Sequence, residues 1–260
     1  MASFVTKEGL PMLDIKGLSK SFGGIRAVSN CTITLKESRI TGLIGPNGSG
    51  KTTLFNLITG FIPPDQGEIY FQGERIDGHL PHEVAGHGII RTFQLTRLFP
   101  KMTLLENLLL ASPHQTGESL WPLWIKRRRI KQEEQENLGK ARELIETVGL
   151  SHLKDQFAEN LSYGQQKLLE LARALMADPK MILLDEPTAG INPSMIRKII
   201  ELILKMRDSG KVFFIIEHNM DVVIELCDWV FVLDNGEKIA EGKSKEIQND
   251  SRVIEAYLGV

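Results

Sequence analysis

The chain has 260 residues, 42% of them hydrophobic and 25% charged, and its 31 basic and 33 acidic side chains leave a net charge of −2. These values exclude an intrinsically disordered chain, and the near-neutral balance gives no global reason to bind nucleic acid. The densest apolar runs are strand-sized and fall short of the roughly 18 residues that a membrane-spanning helix needs. Two distant cysteines and an N-terminus without the pattern of a secretory signal lead us to expect a cytoplasmic protein.

The first quarter of the chain predicts two kinds of strand. Apolar and polar residues alternate in residues 12–17 and 29–35, as they do in half-exposed antiparallel strands. Residues 40–44 form a short, β-branched run that leads into a glycine-rich segment, and residues 51–59 after it predict a helix. We therefore expect an N-terminal antiparallel β subdomain, followed by the first strand of a parallel sheet.

Between about residues 103 and 160 the strand pattern gives way to helical spacing. Apolar residues recur at this spacing in two groups, Leu104, Leu105, Leu108 and Leu109, and then Leu138, Ala141, Leu144, Ile145 and Val148. We therefore predict a helical subdomain, residues 96–160, inserted into an α/β core that consists of residues 1–95 and 161–260.

The rest of the chain predicts buried strands separated by helices. Residues 181–184 and 212–216 are continuous apolar runs, and Pro193 suits the first turn of a helix that ends near Arg207. Strands of this kind indicate a mostly parallel sheet that is covered on both faces. The Asn-Gly pair at residues 235–236 predicts the turn of a hairpin between the last two strands.

The glycine-rich segment after residue 44 matches the phosphate-loop pattern G-x-x-x-x-G-K-[ST]. Its glycines let successive N–H groups and the start of the next helix face an anion. The lysine adds a point charge for the β- and γ-phosphates, and the hydroxyl after it can bind Mg²⁺. A chance glycine turn is the alternative, but the strand and the helix both stand where the motif requires them. The candidate phosphate-binding residues are Gly45, Pro46, Asn47, Gly48, Ser49, Gly50, Lys51, Thr52 and Thr53.

Two adjacent carboxylates follow the apolar run at residues 181–184. Because ligands bind at the carboxyl edge of an open α/β sheet, Asp185 and Glu186 are expected beside the phosphate loop. Asp185 can hold Mg²⁺, and Glu186 can orient or deprotonate an attacking water. A strand that ends in acidic residues is ordinary on its own. The phosphate loop in the same chain favours the catalytic interpretation.

Residues 161–166, Leu-Ser-Tyr-Gly-Gln-Gln, form a polar turn that opens a predicted helix over residues 165–177. Ser162 is a good N-cap, and a cap without a ligand is the simplest interpretation. The segment resembles the signature motif of ABC ATPases, usually Leu-Ser-Gly-Gly-Gln, with Tyr163 in place of the first glycine. The resemblance implies that Ser162, Gly164 and Gln165 contact the ATP of the opposite subunit.

The resemblance extends along essentially the whole chain. Phe22 sits where the family stacks an aromatic ring on adenine, and Gln94 matches the glutamine that reaches Mg²⁺, the attacking water and the transmembrane partner. His218 matches the switch histidine near the γ-phosphate, whereas Asn192 replaces the usual Asp of a neighbouring loop. The resemblance implies a RecA-like P-loop NTPase core that uses ATP and Mg²⁺. The implied catalytic residues are Glu186, His218 and Gln94, and the implied metal ligands are Thr52, Gln94 and Asp185.

Three further segments resemble the ATP-binding subunits of branched-chain amino acid importers: residues 95–99, the long stretch around 121–135 and the tail 253–259. Lipopolysaccharide-export ATPases, which share a similar tail, and soluble ABC ATPases of iron–sulfur cluster assembly are the alternatives. The importer resemblance implies transmembrane permease subunits, and indirectly a solute-binding protein, as partners, with no nucleic acid. It also implies a chain that lies on the inner face of the cell membrane, in a head-to-tail dimer with a copy or a second ATP-binding subunit.

The basic run at residues 126–131 follows Trp121 and Trp124 and allows two interpretations. It can be a solvated helix face whose charge is balanced by the glutamates that follow it. It can also contact anionic lipid headgroups, since aromatic rings and basic charges together suit a membrane interface.

Overall fold

Two β-sheets and the helices that cover them make up the described part of the chain, residues 10–36, 40–92, 98–113 and 127–258, in this computed structural model. The strands are β1 Leu13–Phe22, β2 Ile25–Leu35, β3 Ile40–Ile44, β4 Gln66–Phe71, β5 Glu74–Arg75, β6 Ile89–Arg91, β7 Met181–Asp185, β8 Val212–Ile216, β9 Trp229–Asp234 and β10 Glu237–Gly242. The helices are α1 Lys51–Ile58, α2 Pro81–His87, α3 Leu104–Leu109, α4 Arg127–Thr147, α5 Tyr163–Met176, α6 Pro193–Asp208, α7 Met220–Leu226, α8 Ser244–Ile247 and α9 Ser251–Leu258.

A six-stranded sheet in the order β10-β9-β3-β8-β7-β6 forms the centre of the fold. Its strand pairs are parallel from β9 to β6, and β10 pairs with β9 in the antiparallel direction. Every residue of β3, β7 and β8 is buried, as expected for strands with helices on both faces. The predicted mostly parallel sheet is confirmed, and the carboxyl ends of its parallel strands lie at one edge.

Alternate residues of β7 pack into two different apolar clusters. Ile182 and Leu184 contact the cluster that includes α5, α6 and α7. Met181 and Leu183 contact the cluster formed by α1 and the second sheet. The side chains of a strand alternate between faces, so the two clusters lie on opposite sides of the central sheet.

The second sheet has four antiparallel strands in the order β2-β1-β4-β5. It confirms the predicted N-terminal antiparallel region, in which alternate side chains such as Ile33 and Leu35 are buried. The strands β4 and β5 were not predicted from the sequence. Only Ile69 and Phe71 of β4 are buried, and β5 is two residues long, so neither strand carries a clear pattern.

The predicted hairpin between β9 and β10 is confirmed. Asn235 and Gly236 both have positive φ angles, 45° and 83°, as a type I′ turn requires. The N–H of Gly236 donates to the Ser49 carbonyl at 3.1 Å, and the N–H of Ser29 donates to the Gly236 carbonyl at 2.8 Å. The turn therefore connects the antiparallel sheet to the glycine-rich segment.

Helices α3 and α4 pack against each other and against α5. Their buried side chains, including Leu104, Leu108, Ala141 and Ile145, join the apolar cluster under α5. The predicted helical character of this region is confirmed for the described residues, apart from one β-bridge between Thr103 and Phe157. The predicted boundary at residue 95 lies outside the described residues, so the division into subdomains remains a prediction. Helix α5 begins at Tyr163, two residues earlier than predicted, because Ser162 itself is the cap.

Candidate nucleotide-binding and catalytic site

The glycine-rich segment forms a tight loop between β3 and α1. Gly45 and Gly50 have φ angles of 146° and 99°. A Cβ on Gly45 would lie 1.9 Å from the Leu233 carbonyl oxygen, and one on Gly50 would lie 2.2 Å from the Ala27 carbonyl oxygen. Only glycine fits at these two positions, because the backbones of β9 and β2 press against the loop.

Lys51 is buried, and its side chain is held inside the loop. Its Nζ donates to the Gly45 carbonyl at 2.9 Å, to the Pro46 carbonyl at 2.7 Å and to the Ser49 hydroxyl at 3.2 Å. Burial lowers the pKa of Lys51, while the nearby negative charges of Glu186 and Asp185 act in the opposite direction. The loop and the two predicted carboxylates therefore share one electrostatic environment.

The loop exposes the groups that face an incoming anion. Asn47, Gly48 and Thr52 are exposed, and a Cβ on Gly48 would contact nothing within 4 Å. Helix α1 begins at Lys51 after Gly50, and no side chain caps its N-terminus. The first N–H groups of a helix have no acceptor within the helix, so this end of α1 suits phosphate oxygens.

Asp185, at the end of β7, forms a buried ion pair with a residue that the sequence analysis did not select. Arg91 Nη2 donates to Asp185 Oδ2 at 2.8 Å, and the two side chains are only 4% and 8% exposed. Arg91 Nη1 also donates to Asn56 Oδ1 on α1 at 2.6 Å. Arg91 thus connects the ends of β6 and β7 to the helix that follows the phosphate loop.

The two predicted catalytic residues Glu186 and His218 are in contact. His218 Nε2 lies 3.0 Å from Glu186 Oε1. Glu186 has a φ of 49°, and its N–H donates to the Ile216 carbonyl at 2.9 Å. The end of β7 is thereby fastened to the end of β8. The parallel strands bring this pair to the same sheet edge as the phosphate loop.

The predicted signature residues lie at a different helix start. Ser162 caps α5: its hydroxyl accepts from the Gln165 N–H at 3.4 Å, and its own N–H donates to Gln165 Oε1 at 2.9 Å. A Cβ on Gly164 would lie 2.6 Å from Met195 Cγ of α6, which leaves no room for a side chain. Ser162 is exposed. At this helix start, Gln166 Nε2 donates to the Leu161 carbonyl at 3.2 Å, and the Tyr163 ring lies near Gly190 in the loop before α6.

Of the remaining predicted site residues, the structure describes Phe22 but not Gln94. Phe22, at the end of β1, is 48% exposed, with Lys20 Nζ 5.7 Å from the ring centroid. Gln94 lies outside the described residues, so its predicted role remains a prediction. Lys126, the first residue of the basic run, and both tryptophans before it also lie outside the described residues. Arg129 forms an ion pair of 2.8 Å with Glu133, which agrees with a solvated helix face.

Two long-range contacts near the site were not predicted from the sequence. The Gly45 N–H donates to the Tyr257 hydroxyl of α9 at 3.0 Å, and burial raises the pKa of Tyr257. Glu217, next to His218, is a buried carboxylate that bonds to Thr188. A single glutamate before a histidine carries no recognisable signal. The resemblance of the tail to branched-chain importer subunits implies no role for Tyr257.

The described residues contain no helix that is long and apolar enough to cross a membrane. They also contain no group of three or more His, Cys, Asp and Glu side chains that could hold a metal ion by itself.

Known proteins resemble the chain over almost its full length. The family described as "ABC transporter" matches residues 28–189, and the family "Branched-chain amino acid ATP-binding cassette transporter" matches residues 237–260. A "Probable branched-chain amino acid transport ATP-binding protein LivG" of Archaeoglobus fulgidus is 43% identical over 254 residues, which are 96% of each chain.

Two solved structures share the fold. One is an ATP-binding cassette of an ABC transporter in its ADP conformation, with a TM-score of 0.84 and 39% identity over 96% of this chain and 100% of that one. The other is a dimeric ATP-binding cassette in a post-hydrolysis state with ADP and Pi, with a TM-score of 0.74 and 27% identity over 90% and 99%. The predicted P-loop NTPase fold is confirmed, and the chain belongs to the ABC transporter family, as one of its ATP-binding cassettes.

Proposed function

We propose that this chain is the ATP-hydrolysing subunit of a branched-chain amino acid importer. The observation that carries the ATPase assignment is the contact of Glu186 with His218 at the sheet edge that also holds the phosphate loop. The importer assignment is supported by the relatives of that name and by the family match at residues 237–260. These relatives do not favour iron–sulfur cluster assembly or lipopolysaccharide export.

Hydrolysis at this site is the attack of water on the γ-phosphorus of ATP. The loop amides and Lys51 bind the β- and γ-phosphates and stabilise the charge that develops on their oxygens. Glu186 orients the water and takes its proton as the new O–P bond forms. The bond between the γ-phosphorus and the bridging oxygen breaks, so ADP and phosphate result. His218 is held beside Glu186, where it can contact the γ-phosphate.

The chain's residues fit a magnesium ion at the phosphates. Thr52 presents an exposed hydroxyl at the start of α1, and Asp185 presents a carboxylate at the end of β7. Both are oxygen donors of the kind that Mg²⁺ prefers, and Gln94 is the third predicted ligand. Bound Mg²⁺ supplies positive charge to the phosphate oxygens. The ion pair with Arg91 holds the Asp185 side chain at this edge of the sheet.

The chain has a second helix start, at Ser162, and we assign it to the ATP of an opposing subunit. This arrangement makes a head-to-tail dimer, in which Phe22 stacks on the adenine of its own chain's ATP. The similar cassette that was solved as a dimer with ADP and Pi supports the assignment. The opposing subunit is a second copy or a related ATP-binding subunit. The dimer binds transmembrane permease subunits at the inner face of the membrane, and a solute-binding protein delivers the amino acid to them.

Purification of the chain from membranes tests the importer assignment. A tagged chain is expected to co-purify with multi-span permease subunits, and deletion of its gene is expected to abolish uptake of labelled leucine at low concentration. The Glu186→Gln chain serves as the control, because it should restore the complex but not the uptake. Recovery of the chain only in the soluble fraction, with iron–sulfur assembly proteins, would contradict the proposal.

A further inference from the structure

Glu217 is a buried carboxylate at the carboxyl end of β8, directly before His218. Its residue is 3% exposed. Burial of a carboxylate is unfavourable unless hydrogen bonds or charges compensate for the lost hydration. None of the sequence motifs gives Glu217 a role, so its partners must explain why a charged group stands there.

Four donors from two loops surround this carboxylate. Oε1 accepts from the N–H of Thr188 at 3.1 Å and also from the Thr188 hydroxyl. Oε2 accepts from the N–H groups of His218 at 3.0 Å and Asn219 at 3.3 Å. One oxygen therefore binds the loop after β7, and the other binds the loop after β8.

These bonds close a ring around the catalytic pair. Thr188 lies two residues after Glu186, and His218 follows Glu217 directly. The ring runs from Glu186 through Thr188 and Glu217 to His218, and it closes at the 3.0 Å contact between His218 and Glu186. Glu186 has a φ of 49°, a backbone conformation that persists only where the surroundings hold it.

We propose that Glu217 is a positioning residue for ATP hydrolysis. It fastens the loop after β7 to the loop after β8 through Thr188, and this holds His218 and Glu186 in contact. Glu217 itself faces backbone and hydroxyl donors, so it acts through these loops. The inference rests on the ATPase activity of the proposed function and is independent of which solute is transported. Its tests use the purified chain, so a failure of the importer assignment in cells leaves them unaffected.

The first test is Glu217→Gln in steady-state ATPase assays. A carboxamide has one acceptor oxygen, so it can serve only one loop, and its NH₂ group then faces the donors of the other. We expect kcat to fall about 10- to 100-fold, because small misplacements of catalytic groups have effects of this size. KM for ATP should stay within about twofold, since the phosphate loop is untouched. Glu225→Gln, an exposed acid on α7, is the matched control and should leave both constants unchanged.

The second test is Thr188→Val, which removes the hydroxyl donor and keeps the shape of the side chain and the backbone N–H. We expect a smaller loss of kcat in the same direction. If the two residues act through one link, the losses of Thr188→Val and Glu217→Gln are less than additive in the double variant. Thr188→Val also decides the question if Glu217→Gln fails to fold.

A spectroscopic readout separates positioning from general loss of structure. The imidazole NMR signals of His218, assigned with a His218→Gln chain, should shift in both variants. Those of His79 and His87, which pair with each other elsewhere, should not. An unchanged kcat in folded variants, strictly additive losses, or a rise in KM that accounts for the whole effect would each overturn the proposal. Unchanged His218 signals would overturn it as well.

Discussion

Two helix starts in this chain are suited to anions, but their surroundings differ. The start of α1 is enclosed: β2, β9 and α9 contact its loop, and Lys51 is buried inside it. The start of α5 is exposed, and the Ser162 and Gln165 side chains cap it from within the same helix. The first start is enclosed by other parts of its own chain, whereas the second is open to solvent.

The predicted catalytic carboxylates lie near only the first of these two helix starts among the described residues. At the first helix start, the negative charges of Glu186 and Asp185 oppose the lowering of the Lys51 pKa by burial. At the second helix start, the start of α5, Gly164 lies against Met195 of α6, and Tyr163 lies near Gly190 in the loop before α6. The first helix start therefore lies beside two carboxylates, whereas Gly164 and Tyr163 at the second lie beside Met195 and Gly190. This difference is the physical reason to assign the two starts to two nucleotides.

The largest effect is expected from Glu186→Gln, which removes the base from the first region and leaves the second region intact. Glutamine cannot take a proton from water, so kcat should fall about 10²- to 10⁴-fold. ATP binding should persist, and the chain should accumulate as an ATP-bound dimer. An ATPase assay and size-exclusion chromatography in ATP check both. Unchanged turnover would remove Glu186 from the role of base.

Arg91→Met tests how much the buried ion pair with Asp185 contributes to stability near the first helix start. The substitution leaves the Asp185 carboxylate buried without its partner, which typically costs about 3–5 kcal/mol in unfolding free energy. Urea denaturation measures this loss. Arg129→Met is the matched control, because its ion pair with Glu133 is exposed and such pairs contribute about 1 kcal/mol or less. Equal losses for the two variants would show that Arg91 is not part of a buried brace.

Tyr257→Phe makes a smaller change at the same loop. It removes the acceptor of the Gly45 N–H and keeps the ring, so the unfolding free energy should fall by about 0.5–1.5 kcal/mol. Tyr163→Phe gives the comparison at the second helix start. There the ring itself lies against Gly190, and the change should stay within about 0.5 kcal/mol. If thermal unfolding showed equal losses of stability for the two variants, the hydrogen bond from the Gly45 N–H to Tyr257 would not stabilise the first helix start.

Features carried by neighbouring residues were predictable from the sequence. The phosphate loop, the Ser162 cap and the Asn235–Gly236 turn each depend on a few consecutive residues, and the structure has all three. The position of Asp185 and Glu186 at the sheet edge of the phosphate loop was predicted from strand order, because parallel strands end at one edge. The contact of Glu186 with His218 was not predicted. Short strands such as β5 carry too few residues to show a pattern.

The braces around the site could not be predicted, because their partners are far apart in the chain. Arg91 and Asp185 are separated by 94 residues, Thr188 and Glu217 by 29, and Gly45 and Tyr257 by 212. Such pairs depend on how the strands and helices pack, and a single sequence does not record that packing. The resemblance to ABC ATPases covers the residues proposed to contact the nucleotide, but it says nothing of what holds them.

Sedimentation of the Glu186→Gln chain in ATP, with and without Ser162→Arg, tests the assignment of the two helix starts most directly. We expect the Ser162→Arg chain to bind ATP with unchanged affinity when dilute but to remain a monomer at concentrations where the parent dimerises. Dimerisation of the Ser162→Arg chain, or a loss of ATP affinity in its monomer, would contradict the assignment of Ser162 to the nucleotide of the opposing subunit.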